Sequence, residues 1–468
     1  MTEKKLQDQN TEQENKMGVL PVRKLLISMS LPMMASMLVQ ALYNIVDSIF
    51  VARLSENALT AVSMAFPLQT LMISLAGGTG VGVNAILSKA LGEKEFDKAN
   101  KAAENGIFLS IIGYLVFLVV GFTAVRPFYM SQTSDPEIIE YGVQYLTIAL
   151  TLSFGVFGQF IFERILTSTG RTFYTMLTQG TGAIVNIILD PIFIFGMFGL
   201  PKMGTAGAAV ATVIGQITAA CFALYLNLRK NPDVKLSAKG FRPDGAMIGR
   251  IYRIGVPSII MMSIGSVMTY TMNKILMAFS STAVAVFGVY FKLQSFIFMP
   301  VFGLNNGLVP IVAYNFGAKK KDRMMESWKL AWIYATAILV FGVILFEAVP
   351  RTLLGMFDAS EYMMGIGTVA LRVIAVHFPF AAYCIVTGSM FQALGHSVYS
   401  MITSIMRQLV VLIPAAFLLS LPGNVDYVWW SFPIAELMSA MATTFFFVIL
   451  YRKVISGIGK EPAPAEEA

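Results

Sequence analysis

Cysteine and histidine are almost absent from this chain. Its 468 residues include two cysteines, Cys221 and Cys384, and two histidines, His377 and His396. Both cysteines fall within long apolar stretches, where a thiol is a small packing group, so a disulfide framework is excluded. The histidines stand far apart without acids at ligand spacing, so no metal centre and no resident cofactor are expected. Charge is scarce as well: 13% of residues are charged against 56% hydrophobic. The net charge of +7 is not a nucleic-acid footprint, because the basic residues lie in connections between apolar runs, where membrane topology requires them. The first 25 residues are polar and hold no apolar core ahead of a small-residue cleavage site, so no cleaved signal peptide is expected.

What the chain has in abundance is apolar runs of twenty or more residues, the mark of an integral membrane protein. Twelve spans are expected, at about 26–54, 58–87, 104–125, 138–168, 172–198, 203–228, 250–279, 283–314, 328–349, 364–392, 397–420 and 426–451. A disordered tail over 1–25 precedes an N-lobe over 26–228. A linker over 229–249, with Pro232, Pro243 and five basic residues, leads to a C-lobe over 250–452 and a tail over 453–468. Lysine and arginine cluster on one side, as in Lys89, Lys94, Arg229, Lys230, Lys319, Lys320, Lys321 and Arg452. The other side has only Arg53, Arg126, Lys202 and Arg351. This bias puts both termini in the cytoplasm.

The halves repeat. A shift of 225 residues without a gap superposes Pro32 on Pro257, Gly82 on Gly307, Gly92 on Gly317, Gly170 on Gly395 and Tyr174 on Tyr399. Six spans per half give both halves the same orientation. The expected fold is therefore all-α: twelve transmembrane helices in two pseudo-symmetric six-helix bundles, with a substrate path between them. A proline inside a span can bend it, and Pro32 is the candidate hinge.

The repeat fails at the acids. Asp47 falls opposite Met272, Glu163 opposite Gly388 and Asp190 opposite Ala415, the last with a slip of a residue or two. Charge inside a bilayer is costly, so such groups are read as functional unless a partner is found; for Asp47 the competing reading is a group near the helix end that reaches water or pairs with Arg53. At ~1.5 Å per residue, Asp47 and Tyr145 lie about 10 Å, and Asp190 and Thr212 about 12 Å, from the outer ends of their spans. Asn186 is one turn from Asp190 on the same face. Two buried carboxylates can load and release a proton; with an amide and a hydroxyl they also form the oxygen shell a Na⁺ prefers. H⁺ is favoured, and Na⁺ at Asp47, Asn186, Asp190 and Thr212 stays open. Glu163, close in sequence to Arg164 and Arg171, is either a surface-paired group or a proton relay or substrate contact. In the C-lobe, Glu436 is expected to pair with Lys292 or Arg407 as a structural ion pair.

Three stretches carry a family resemblance: YNIVDSIFVARL, NIILDPIFIF (Asn186 to Phe195) followed by GAAVAT (Gly207 to Thr212), and LVPIVAYNFGAKKKDR (Leu308 to Arg323). With them the chain resembles the MATE (multidrug and toxic compound extrusion) transporters, on the bacterial DinF-like and MepA-like branch. The resemblance implies two lobes around a V-shaped cleft and no enzyme activity. It implies export of amphipathic cationic compounds in exchange for H⁺ or Na⁺, by a monomer in the bacterial plasma membrane. It places the N-lobe cation site on Asp47, Asn186, Asp190 and Thr212 beside Tyr145, the bending proline at Pro32, and a further acid at Glu163. A flippase for a lipid-linked precursor shares the two-lobe plan and is the alternative; it would favour a cleft lined by several cations, of which the sequence offers few.

Overall fold

In hydrocarbon a backbone amide has no water to bond, so a long apolar run satisfies itself by coiling into a helix. A computed structural model, which describes residues 15–237, 241–357 and 359–459, has ten helices of that kind and two bent pairs, up to twelve spans. In the N-lobe they are span 1 (Val22–Ala52), span 2 (Asn57–Gly92), span 3 (Phe96–Thr123), span 4 (Pro136–Thr151 with Phe154–Ser168), span 5 (Thr172–Phe195) and span 6 (Thr205–Lys230). The C-lobe follows with span 7 (Gly245–Met277), span 8 (Ser281–Gly317), span 9 (Lys321–Ala348), span 10 (Glu361–Ala375 with Phe378–Ala393), span 11 (Ser397–Ser420) and span 12 (Val425–Gly457). The chain is an all-α membrane protein of two six-helix bundles. Spans 3 and 9 begin well before the expected 104 and 328. Their first turns are polar helix beyond the apolar layer, which hydropathy does not register.

Turn chemistry repeats with the same offset as the sequence. Ser55 caps the helix that follows it by accepting from Ala58 N at 3.0 Å, and Ser280 accepts from Ala283 N at 3.1 Å. Asp135 caps span 4 and Ser360 caps span 10 in the same way. Spans 4 and 10 are the two broken ones, bent by 45° and 48°. In span 10 the second segment opens on Phe378-Pro379, and proline cannot donate to the preceding turn. Pro32 and Pro257 both lie inside continuous helices. Span 11 departs from its counterpart, span 5, by a π-helical stretch over Met406–Leu412.

The lobes close on each other at the end of the spans nearest the termini. Span 1 packs on span 8, and span 2 on spans 7 and 8. Glycine permits it: a Cβ on Gly92 would lie 2.0 Å from the Tyr314 carbonyl oxygen, and one on Gly317 would lie 2.2 Å from that of Lys89. The two contacts are images of each other, since Lys89 and Tyr314 are also related by the repeat. Gly78 on span 7 and Gly303 on span 1 form a second such pair.

The expected tail over 1–25 needs correction where it is described; residues 1–14 lie outside the described residues. Asn15 caps a short helix, Lys16–Val19, and span 1 already begins at Val22. Met17 is fully buried, and its carbonyl accepts from Asn315 Nδ2 at 3.1 Å and Arg323 Nη2 at 3.3 Å. Asn15 Nδ2 donates to the Thr169 carbonyl at 3.1 Å, so this segment touches both lobes. Polar composition suggested disorder because it hides one buried apolar side chain and carbonyls that meet basic partners. The linker, apart from residues 238–240, lies along span 3: Asn100 Oδ1 accepts from Lys235 N at 2.8 Å and Asn105 Oδ1 from Asp244 N at 2.9 Å. Residues 460–468 of the expected C-terminal tail also fall outside the described residues.

Candidate functional site

Four N-lobe spans bring one set of oxygens together. Span 5 runs between spans 1 and 6. Asn186 and Asp190, one turn apart on span 5, are both buried. Asn186 Nδ2 donates to Asp190 Oδ1 at 3.3 Å and to Thr212 Oγ1 of span 6 at 3.2 Å. Asp47 of span 1 lies within electrostatic range of Asp190, and Tyr43, one turn earlier, lies within range of both. Tyr145 of span 4 lies within reach of the same Asp47 charge, and its hydroxyl accepts from Gln69 Nε2 at 3.0 Å. Asp47 Oδ1, Asn186 Oδ1 and Asp190 Oδ2 are buried without a protein donor. No ion pair joins Asp47 to Arg53 among the described residues. The five residues read from depth along their spans thus share one neighbourhood. Tyr43 and Gln69 were missed; the Tyr43–Asp47 spacing of one turn was the available signal.

Glu163 corrects the surface-paired reading. It is buried, 5% exposed, and accepts from Gln159 Nε2 at 3.0 Å, Thr178 Oγ1 at 2.9 Å and Gln179 Nε2 at 2.8 Å. Among the described residues the carboxyl is thus met by three neutral side chains and forms no ion pair. Arg164 turns the other way and donates from Nη1 to Asn306 Oδ1 of the C-lobe at 3.0 Å. Arg171 is held by Asp233 and the Lys230 carbonyl.

The C-lobe acid is balanced differently. Arg407 Nη1 donates to Glu436 Oε2 at 3.3 Å and Oε1 at 3.5 Å. His377 Nδ1 stands 3.6 Å from Glu436 Oε2, and its Nε2 lies 3.3 Å from the Tyr290 hydroxyl. Lys292 is not part of this set: its ammonium sits 5.8 Å from the Phe357 ring centre. The expected pair is therefore Arg407 with Glu436, and the histidine set aside on sequence spacing packs beside it because span 10 lies against span 12. No group of three or more His, Cys, Asp or Glu side chains suited to a metal occurs among the described residues.

Between the lobes lies a cavity of about 610 Å³, within the range of a drug-sized ligand. Methionines from both lobes, Met33, Met37, Met262 and Met299, give it adaptable apolar walls. Asn186, Thr212 and Tyr43 line it, whereas Asp47 and Asp190 do not. Charge at the lining comes from Glu163, Arg164 and Arg407.

A family model described as MatE matches this chain twice, over residues 32–192 and 257–418, and the two matches begin 225 residues apart like the internal repeat. The chain belongs to the MatE family. Its members are transporters and not enzymes. Among curated relatives of this MatE protein is the multidrug export protein MepA of Staphylococcus haemolyticus (strain JCSC1435), 26% identical over 432 residues, 92% of this chain and 94% of the relative. MepA of Staphylococcus aureus (strain MRSA252) is 28% identical over 441 residues, with the same coverage. A solved outward-facing multidrug resistance MATE transporter of the MOP superfamily superposes with a TM-score of 0.89 at 24% identity, covering 97% of this chain and 100% of that one. A MOP-superfamily transporter from Pyrococcus furiosus, described as having a binding pocket of reversed polarity, gives the same score, identity and coverage. At such identity the solved structures bear on the fold alone.

Proposed function

We propose that this MatE protein is a secondary active multidrug efflux antiporter. It exports amphipathic cationic compounds in exchange for H⁺, with Na⁺ as the other candidate ion, and works as a monomer by alternating access. It sits in the bacterial plasma membrane with both termini in the cytoplasm. One observation carries the reading: Asp190 is fully buried yet has a single amide donor. Desolvating a carboxylate costs several kcal/mol and one such bond returns about 1.5–3, so the balance falls to a proton or a small cation.

Asp47 and Asp190 then take up the ion from outside, with Asn186 and Thr212 ordering the oxygens next to the cavity. Neutralising the cluster changes the packing of span 1 around Pro32 and lowers drug affinity in the outward state. An ion drives this only through unequal affinity for the two states. Glu163 faces the cavity and serves as a relay or substrate contact. No resident cofactor is required; the coupling ion is cargo.

The test is uptake of a fluorescent cation into everted vesicles under an imposed pH gradient and, separately, an imposed Na⁺ gradient. The pH gradient is expected to drive it, and Asp47→Asn and Asp190→Asn each to abolish it at normal expression. Full transport by both variants removes the ion-coupling role.

A further inference from the structure

The cavity is lined by one acid and two arginines, and the arginines come from opposite lobes. Glu163 is already met by three side-chain donors, and Arg164 already donates to Asn306. Of the two arginines, Arg407 is the better placed to receive a ligand. Its side chain is 28% exposed, whereas that of Glu436 behind it is 4% exposed. Both of its hydrogen bonds to Glu436 run through Nη1. Among the described residues no bond engages Nε or Nη2, and the residue lines the cavity. Glu436 also has His377 nearby, with Nδ1 at 3.6 Å from Oε2.

The backbone adds an independent observation. Arg407 lies in the π-helical stretch of span 11, Met406–Leu412. Inserted π-turns re-aim side chains and cluster at functional sites. The repeat puts Gly182 at the corresponding place in span 5, so the guanidinium belongs to one lobe alone. A planar fork with free N–H groups matches a carboxylate in a two-point contact.

We infer that Arg407 is a specificity-determining residue, receiving the carboxylate of a zwitterionic amphiphile on its free N–H groups. This deepens the export reading and rests on it. The acid lies at Arg407 on the C-lobe wall, and the apolar body lies against the methionines.

Rhodamine B and its ethyl ester test it, because they share the cationic dye and differ in one carboxylate. Binding of each to the purified full-length protein is read by fluorescence polarisation. The unaltered chain is expected to bind the acid at least as tightly as the ester. Arg407→Gln is expected to weaken the acid about tenfold and the ester less than about threefold, a tenfold change being about 1.4 kcal/mol. Arg407→Gln leaves Glu436 short of its partner, so the double variant Arg407→Gln/Glu436→Gln, which removes both charges together, must show the same selective loss. Arg407→Lys should recover part of the acid's affinity. Equal losses for both dyes, or no loss for either, overturn the inference and leave the export reading standing. Failure of the unaltered chain to bind either dye overturns the export reading and this inference with it.

Discussion

In the N-lobe the buried acids meet neutral donors or none; in the C-lobe the buried acid meets an arginine and a histidine. Glu163 has three donors, Asp190 one, and Glu436 two basic neighbours. The same six-helix plan therefore holds charge in two ways. A paired charge is a fixed part of the packing, since removing either partner leaves the other buried alone. A carboxylate with too few donors depends on whatever ion reaches it, which suits a group whose occupancy must change during a cycle.

This contrast is breakable. The largest effect expected is on transport: Asp190→Asn should cut gradient-driven dye uptake by more than about tenfold, within the 5–150-fold span of typical coupling, while Glu436→Gln keeps ion-driven uptake above background. Equal loss in both would erase the distinction between lobes. Stability should show the reverse ranking. Arg407→Gln should cost about 3 kcal/mol of unfolding stability by stranding Glu436, and Asp190→Asn should cost nothing or stabilise, both read by thermal unfolding of the purified protein.

A third experiment turns on what the lobes share. Gly92→Ala and Gly317→Ala should each disfavour closure at the termini side by about 1–3 kcal/mol through overpacking. Lower crosslinking between cysteines placed on spans 2 and 8 would report it, and the two variants should agree because their contacts are images. Gly180→Ala, with no atom within 4 Å of the added carbon, is the control expected to leave crosslinking as it was. The smallest effect belongs to Gln69→Leu, which deletes the donor to Tyr145 and should cost about 1 kcal/mol in thermal unfolding.

Much of this was legible in order of residue numbers. Membrane spans follow from hydropathy because lipid forces every apolar run into the same self-bonded helix. The 225-residue repeat follows from matched prolines and glycines, which mark bends and close approaches. The neighbourhood of Asp47, Asn186, Asp190, Thr212 and Tyr145 came from depth along each span, since a rigid rise per residue converts sequence position into height. For Glu163 the surface-paired alternative stayed open because nearness to Arg164 in sequence says nothing of helix face; adjacent residues point about 100° apart, and Arg164 turns to Asn306.

By itself, then, the sequence determined the helices, their number, the duplication and the height of each polar group in the layer, all of which depend on local geometry and on lipid as solvent. The tertiary structure alone decided which polar groups at one height meet. It withdrew Lys292 from Glu436, brought in His377, surrounded Glu163 with amides and a hydroxyl, and turned Arg407 towards the cavity. Those outcomes depend on rotation about helix axes and on a π-turn, and height along a span leaves that angle free.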